Sequence, residues 1–354
     1  MPWGARWRQP PTASPTERRR PLSPVESLAR ILVLGSLNMD LVVTVPHLPQ
    51  PGETVLGERL GRYPGGKGAN QAVAAARLGG QVAMVGRVGA DDFGPELVEN
   101  LMSNGVDASG VLRDSTAATG AALIYVGPDA QNMIAVAPGA NGRLDAADVG
   151  RAVARLRPGD VLVIQLEIPI VVIERAVSAA RRADAHVLLN AAPAQRLDPG
   201  LLSQVDALIV NEREAGTLLV VRDGAARALV ANERVAGAQD NVASPEAAVE
   251  ALRAMGPRIA IVTLGPAGSV YCDETGVHRV EPFHVTSIDA TGAGDAFVGA
   301  LAVGLARGLA TEAAIRFANA AGAAATTSLG AQAALPRHDD LRRLFGPDLS
   351  FSEP

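Results

Sequence analysis

Apolar positions change their period along this chain, and each change marks an element. Ile31-Leu32-Val33-Leu34-Gly35 is a continuous apolar run, the pattern of a strand buried on both faces. Residues 82–88, 161–166, 186–189, 207–210 and 259–264 read the same way. Between them the spacing turns helical. Ala69, Ala72, Val73 and Ala76 share one face, and residues 93–103, 145–155 and 171–182 continue the pattern. Ala296, Phe297, Ala300, Leu301, Gly304 and Leu305 form another helix. A later one, 311–327, packs through Ala314, Ile315, Ala318, Ala321, Gly322 and Ala325. Two strand pairs stand apart: 41–45 with 55–63 about a turn at 49–52, and 121–126 with 132–137 about a turn at 127–129. Repeated strand–helix units predict an α/β fold.

Composition sets the limits. A chain of 354 residues that is 48% hydrophobic can build a large core, as one big domain or one domain with an appendage. A net charge of -5 leaves no basic footprint for nucleic acid. The single cysteine, Cys272, excludes an internal disulfide framework and fits a cytoplasmic location. The histidines are scattered without zinc spacing, and no apolar run is long enough to span a membrane. Residues 1–30 carry Arg6, Arg8, Arg18, Arg19, Arg20 and Arg30 among prolines. They read as a disordered N-terminal extension or a start placed too early, with the folded unit running from 31 to 354. Residues 221–245 lack periodicity and read as a long surface excursion.

Two glycine-rich stretches carry candidate chemistry. In Asp289-Ala290-Thr291-Gly292-Ala293-Gly294-Asp295-Ala296-Phe297 a tight turn runs into a helix, whose N-terminal N–H groups and dipole favour an anion. Asp295 sits beside that anion hole, where a carboxylate can take a proton from an attacking hydroxyl. The alternative is that Asp295 is a helix N-cap. The second stretch is Pro64-Gly65-Gly66-Lys67-Gly68-Ala69-Asn70-Gln71. Residues 61–67 have the spacing of a P-loop, but Gly68 stands where Ser or Thr would bind magnesium, so a P-loop is rejected. Backbone N–H groups near a small polyhydroxyl ligand, with Lys67 and Asn70 beside them, fit better; the alternative for Lys67 is a solvated surface residue. Asn38, Glu167, Asn190, Asn211 and Thr263 stand at the C-terminal ends of apolar strands, which predicts one shared cleft.

Together the two stretches resemble the signatures of the ribokinase family of carbohydrate kinases. The likeness runs from Ile31 to about Pro336 and includes Gly35-Ser36-Leu37-Asn38-Met39-Asp40, Pro51-Gly52-Glu53-Thr54 and Asn211-Glu212-Arg213-Glu214. It implies a ribokinase-like parallel central sheet flanked by helices, with a small discontinuous β lid at about 40–63 and 118–138. It implies ATP-dependent phosphorylation of the D-ribose 5-hydroxyl, with Asp295 as base and Gly292, Ala293 and Gly294 as anion hole. Asn38, Asp40, Gly66, Lys67 and Asn70 would hold sugar hydroxyls, with Glu167 at the edge. Asn211 and Glu214 would position the phosphates and, indirectly, magnesium. Thr263, Gly265, Pro266, Ala267, Gly268, Gly294 and Asn319 would line the nucleotide pocket. Asp289, Thr291, Ala325, Ser328, Gly330 and Ala334 fall at the positions that bind potassium, Ala334 replacing a frequent serine. Asp289 itself would lie where a strand leads into the loop.

Related sugar or nucleoside kinases remain alternatives, for deoxyribose, fructose, adenosine or pseudouridine. Aromatics are 3% of the chain, and the lid offers only Tyr63 and Tyr125 to stack a base, which favours a bare sugar. Neither glycine stretch completes the G-x-G-x-x-G pattern of a nicotinamide enzyme. A sugar-binding regulator would not need the carboxylate of Asp295. A two-hairpin lid has exposed edges, so Val43, Val45, Val55, Leu56, Leu123 and Ile124 predict a homodimer joined through the lids.

Overall fold

The structure, a computed structural model, describes residues 29–128, 131–222 and 244–346. Residues 1–28 of the predicted N-terminal extension lie outside the described residues. So do most of the predicted excursion at 221–245 and Asp129 of the second turn.

The central sheet begins with β1 (Ile31–Leu34), whose apolar run is buried on both faces. Ile31 and Val33 join one core and Leu32 and Leu34 the other, as the two-residue strand period requires. The chain then makes β2 (Asn38–Thr44) and β3 (Arg59–Gly65) of a separate sheet, followed by α1 (Lys67–Arg77). Next come β4 (Val82–Gly89), α2 (Phe93–Ser103) and β5 (Asp107–Asp114), the last unmarked by apolar runs in the sequence. The second sheet is completed by β6 (Gly120–Val126) and β7 (Asn132–Ala137).

The chain returns through α3 (Ala146–Val153), β8 (Val161–Gln165), α4 (Ile170–Arg182), β9 (His186–Asn190), α5 (Pro199–Leu202), β10 (Ala207–Asn211), α6 (Glu212–Arg222), α7 (Pro245–Arg253) and β11 (Ile259–Thr263). The hairpin β12 (Ser269–Asp273) and β13 (Gly276–Val280) follows, then α8 (Ala293–Ala306), α9 (Thr311–Ala325) and α10 (His338–Phe345).

The strand order is β13-β12-β11-β10-β9-β8-β1-β4-β5 in the large sheet and β3-β2-β6-β7 in the small one. The large sheet is mostly parallel. The expectation of a parallel sheet is corrected at one edge, where β12 and β13 run antiparallel. That hairpin falls where the sequence pattern suggests only the loop after β11. From β1 the chain winds outward through β4 and β5, then returns to β8 on the other side of β1. The β1/β8 boundary is thus a topological switch point, where open α/β sheets bind ligands.

The small sheet falls on the segments expected to form the lid, with two corrections to their bounds. The second strand of the first hairpin starts at Arg59, not at 55, and β2 already begins at Asn38. Val45, expected to need a partner, is buried in its own chain at 3% exposure, while Leu56 at 86% and Leu60 at 69% stand open.

Helices α1 and α8 approach closely because their contact is made of small residues. A Cβ at Gly299 would lie 2.6 Å from Ala74 Cβ and 2.9 Å from the Gln71 carbonyl oxygen. Gly299 is four residues after Asp295, and Ala74 and Ala75 are four after Asn70 and Gln71. The same faces therefore bring the two glycine stretches together one turn earlier.

Candidate active site

Helix α8 starts from Gly292, whose φ of 79° lies in the left-handed region that glycine adopts without a Cβ clash. Gly292 is the N-cap, so Asp295 lies inside the first turn. Its carboxylate caps nothing. Oδ2 accepts from Asn70 Nδ2 at 2.8 Å and Oδ1 from Gln71 Nε2 at 2.9 Å. The N-cap alternative is thereby removed. Of the expected anion-hole groups, Ala293 N–H donates to the Ala290 carbonyl at 3.2 Å. Gly294 is exposed, and a Cβ there would meet nothing within 4 Å.

The first glycine stretch is shaped by contact with β1 and β2. Gly66 has a φ of 88°, and a Cβ on it would lie 2.7 Å from the Asn38 nitrogen. A Cβ on Gly65 would lie 2.2 Å from Asp40 Oδ2, so glycine there makes room for that carboxylate. Glu167 Oε2 accepts from Ser36 Oγ at 2.5 Å and from the Lys67 N–H at 3.1 Å, tying the end of β8 to the start of α1. Asn38 Oδ1 accepts from Asn141 Nδ2 at 2.8 Å. Asn141 also accepts from the Leu37 N–H and donates to the Leu37 carbonyl. Sequence reasoning misses Asn141; it lies in a short 3-10 turn, and only its position across from β2 makes it matter.

Three carboxylates act on one ammonium. Burial works against the charge of Lys67, but Asp295, Glu167 and Glu214 outweigh it and hold the ammonium above its ordinary value. A solvated surface lysine would not feel three carboxylates, so that alternative fails. Burial, then the charges of Glu167 and Asp295, push the Asp40 carboxyl up to about 7. Burial also raises Glu214, against the hydrogen bond from the Asn211 N–H and the charge of Lys67.

Where β10 meets α6, Asn211 and Glu214 bond reciprocally. The Asn211 N–H donates to Glu214 Oε2 at 2.9 Å and the Glu214 N–H to Asn211 Oδ1 at 2.8 Å. The pair opens α6 as a capping box does. Thr263 ends β11 beside it, donating to the Val210 carbonyl at 3.4 Å. Gly265, Pro266 and Ala267 form a 3-10 turn closed by Gly268, whose Cβ would lie 2.3 Å from the Val280 carbonyl oxygen. Asn319 is less directly placed: its Nδ2 donates to the Val280 and Glu281 carbonyls, each at 3.3 Å.

The strand expected to lead into the Asp289 loop is absent, since residues 281–290 form no strand. Asp289 Oδ1 accepts from the Thr291 N–H at 2.9 Å and hydroxyl at 2.6 Å, and its Oδ2 from the Gly330 N–H at 2.8 Å. Burial raises this carboxyl, and the three hydrogen bonds more than reverse that. Thus Asp289 joins two loops directly. Ala325 is buried at the end of α9, Ser328 is exposed, and Ala334 is buried in the turn Gln332–Ala334.

A carboxylate beside an open helix N-terminus, facing a lysine and polar residues at a switch point, is the layout of a phosphoryl transferase. The profile of the pfkB family carbohydrate kinases matches residues 28–338. The chain belongs to that family. A ribokinase of Haemophilus influenzae is 37% identical over 311 residues, covering 88% of this chain and 96% of that protein. The crystal structure of a Thermotoga maritima ribokinase is similar with a TM-score of 0.75 and 33% identity, over 89% of this chain and 99% of that one. A ribokinase of Arabidopsis thaliana, complexed with ribose and ATP, gives a TM-score of 0.76 at 28% identity, over 92% of this chain and 100% of that one. Family membership makes the chain a carbohydrate kinase, a phosphotransferase with a mostly parallel sheet flanked by helices.

Proposed function

We propose that this pfkB-family chain transfers the γ-phosphoryl group of ATP to the 5-hydroxyl of D-ribose, giving D-ribose 5-phosphate and ADP. The observation that carries the reading is the buried Asp295 carboxylate, 8% exposed, at the open start of α8 and across from Asn38, Asp40 and Lys67. Asp295 takes the hydroxyl proton as that oxygen attacks; of the anion hole expected from Gly292, Ala293 and Gly294, the Ala293 N–H is bonded to the Ala290 carbonyl, and the Gly294 N–H donates to the phosphoryl oxygens. Asp40 accepts from sugar hydroxyls, and Asn38 donates through its Nδ2. Asn70, Gly66 and Glu167 complete the sugar side, and Asn211, Thr263, Gly265–Ala267, Gly268 and Asn319 the nucleotide side. Relatives named as ribokinases, and one solved with ribose and ATP, support the same assignment.

Among the described residues no group of three or more His, Cys, Asp or Glu side chains could cage a metal. That fits magnesium carried in on ATP, with Glu214 reaching it through water, because magnesium keeps several waters and few protein ligands. When bound, it neutralises charge on the phosphates. Carboxylate and carbonyl oxygens of Asp289, Thr291, Ala325, Ser328 and Gly330 would suit a hard cation, which we assign to potassium, with Ala334 supplying no hydroxyl.

The lids are assigned to a homodimer interface. The strands β3 and β7 leave open edges; Leu60, Leu123, Met133 and Ile134 are exposed on the small sheet, and Leu56 in the loop before β3. Sedimentation as a monomer at micromolar concentration would overturn this. Among the described residues no helix is long and apolar enough to cross a membrane. The buried, unpaired Cys272 fits the cytoplasmic location that we assign.

The substrate is tested by ADP release over ribose, deoxyribose, fructose, adenosine and pseudouridine, with ribose expected to turn over fastest. A nucleoside would have to use Tyr63, which pairs across from Asp40 and so shares its face; Tyr125 lies on the opposite face. Faster turnover of adenosine than ribose overturns the ribose assignment.

A further inference from the structure

Behind Asp295 lies a chain of buried amides that the reaction as described does not use. Gln71 and Gln165 are each 0% exposed, and Asn190 is 8% exposed. Gln71 Nε2 donates to Asp295 Oδ1 at 2.9 Å and to Asn190 Oδ1 at 3.0 Å. Gln71 Oε1 accepts from Gln165 Nε2 at 2.6 Å. Asn190 Nδ2 donates to the Ile209 carbonyl at 3.2 Å.

The direction of this chain is fixed from both ends. The Ile209 carbonyl can only accept, so Asn190 turns its NH2 to it and its oxygen to Gln71. The Asp295 carboxylate can only accept, so Gln71 must turn its NH2 toward Asp295 as well. Both demands are met by one nitrogen of Gln71, with one proton for each acceptor. The oxygen of Gln71 then faces Gln165, which must donate. A penalty follows at the end of the line. Gln165 Oε1 is buried without a hydrogen-bond partner, against Gly35, where an added Cβ would lie 2.1 Å from it. A buried acceptor left unpaired is unfavourable, and here it is the consequence of orienting Gln71.

We propose that Gln71 is a positioning residue for Asp295, held by Gln165 and Asn190 so that one N–H always meets Oδ1 of the base. This rests on the reading of Asp295 as general base. The amide transfers no proton and touches no reactant. It fixes the carboxylate plane, because Oδ1 is held by Gln71 while Oδ2 is held by Asn70. Oδ2, bonded to Asn70 on the sugar side, is left as the oxygen that meets the hydroxyl.

The test compares Gln71→Met, Gln71→Glu and Gln165→Met with the wild type and with Asp295→Asn. The readouts are kcat and KM for ribose and ATP across a pH series from acid to mildly alkaline, with a thermal melt for each variant. Gln71→Met should lower kcat about tenfold, as loss of one hydrogen bond to a charged group implies, with both KM values little changed. Its acid limb in kcat should move to higher pH. Gln71→Glu keeps the shape but sets a second carboxylate beside Asp295, so its acid limb should move further. Gln165→Met should shift the limb in the same direction by less.

If Gln71 only fills space, Gln71→Met will match the wild type in kcat and in the position of the acid limb, and the proposal falls. The same holds if both Gln71 variants fold and neither moves the acid limb. Should Gln71→Met fail to fold, Gln71→Glu and Gln165→Met decide by the same criterion. An Asp295→Asn variant with full turnover would instead remove the general base reading itself, which separates the two failures.

Discussion

Helices α1 and α8 begin at the same place in the molecule, each behind a glycine with positive φ, yet their first turns are used in opposite ways. Every free N–H of α1 is taken by the chain itself. Lys67 donates to Glu167 and Gly68 to Ser36 Oγ, while Ala69 donates to the Ser36 carbonyl and Asn70 to that of Gly66. In α8 the Ala293 and Ala296 N–H groups bond within the turn, and among the described residues Gly294 and Asp295 N–H have no protein acceptor. The glycines follow suit. A Cβ on Gly68 would lie 2.6 Å from the Ser36 nitrogen, whereas one on Gly294 would meet nothing within 4 Å. A closed helix start holds side chains in place for something else to use. An open one keeps its dipole and donors for a ligand.

The sharpest way to break this contrast is at Asp295. Asp295→Asn should keep the fold, because no backbone group depends on its carboxylate, and should cut turnover by about 10²–10⁴-fold. A coupled assay with a thermal melt checks both. Retained turnover with lost stability would make Asp295 a structural residue and the open N-terminus incidental.

Paired glycine substitutions come next. Gly68→Ala should destabilise the fold by about 2 kcal/mol or more, because its methyl meets backbone that cannot move aside. Gly294→Ala should leave the melting temperature unchanged and lower turnover on the order of tenfold or more, by placing a methyl where the phosphoryl group passes. Chemical denaturation and steady-state rates separate the two; equal loss of stability in both would dissolve the distinction.

A smaller effect is expected from pH. The folded-state pKa of Asp40, pushed up to about 7 from 3.8, means the fold favours its protonated form. Stability from that proton is fully present below about pH 4 and is lost as pH rises through about 7. Sugar binding runs the other way, since the ionised carboxylate is the better acceptor, so the ribose KM should fall as pH rises through about 7. Asp40→Asn should flatten both trends. A wild-type KM for ribose that is constant over that range would place the sugar hydroxyls elsewhere.

The smallest effect concerns the loop before α8. Asp289 already joins Thr291 to Gly330 by hydrogen bonds, so a bound cation has little left to order. Turnover in potassium should exceed that in sodium or a large organic cation by about tenfold at most, roughly 1.4 kcal/mol on the barrier. Equal rates in all three remove the ion from the mechanism, and activation that survives Asp289→Ala moves it to another site.

Much of the fold was legible because its signals are local. The run 31–34 matched β1, and α2 and β7 fell on their expected residues. The strands that were missed carry weak local signals. In β5, Asp107-Ala108-Ser109-Gly110-Val111 is half polar, and it forms a strand because β4 offers an open edge beside it. The hairpin β12–β13 is drawn into place by the exposed edge of β11 in the same way. The candidate site was legible as residue types. Its bonding was not: Asp295 was visible as a base or a cap, and only the donors that meet its two oxygens exclude the cap.

By itself the sequence determined the strands and helices that carry a clear side-chain period, and where the chain must turn through glycine. Those outcomes depend on side-chain period and on backbone sterics within a few residues. The tertiary structure decided what each polar group faces. Gln71 and Asp295 are 224 residues apart, and they meet because Gly299 and Ala74 let two helices approach closely enough one turn further on. Neither the closure of α1 by Glu167 nor the openness of α8 is written in either stretch alone, since a hydrogen bond across a fold is a property of two segments and of the distance the packing leaves between them.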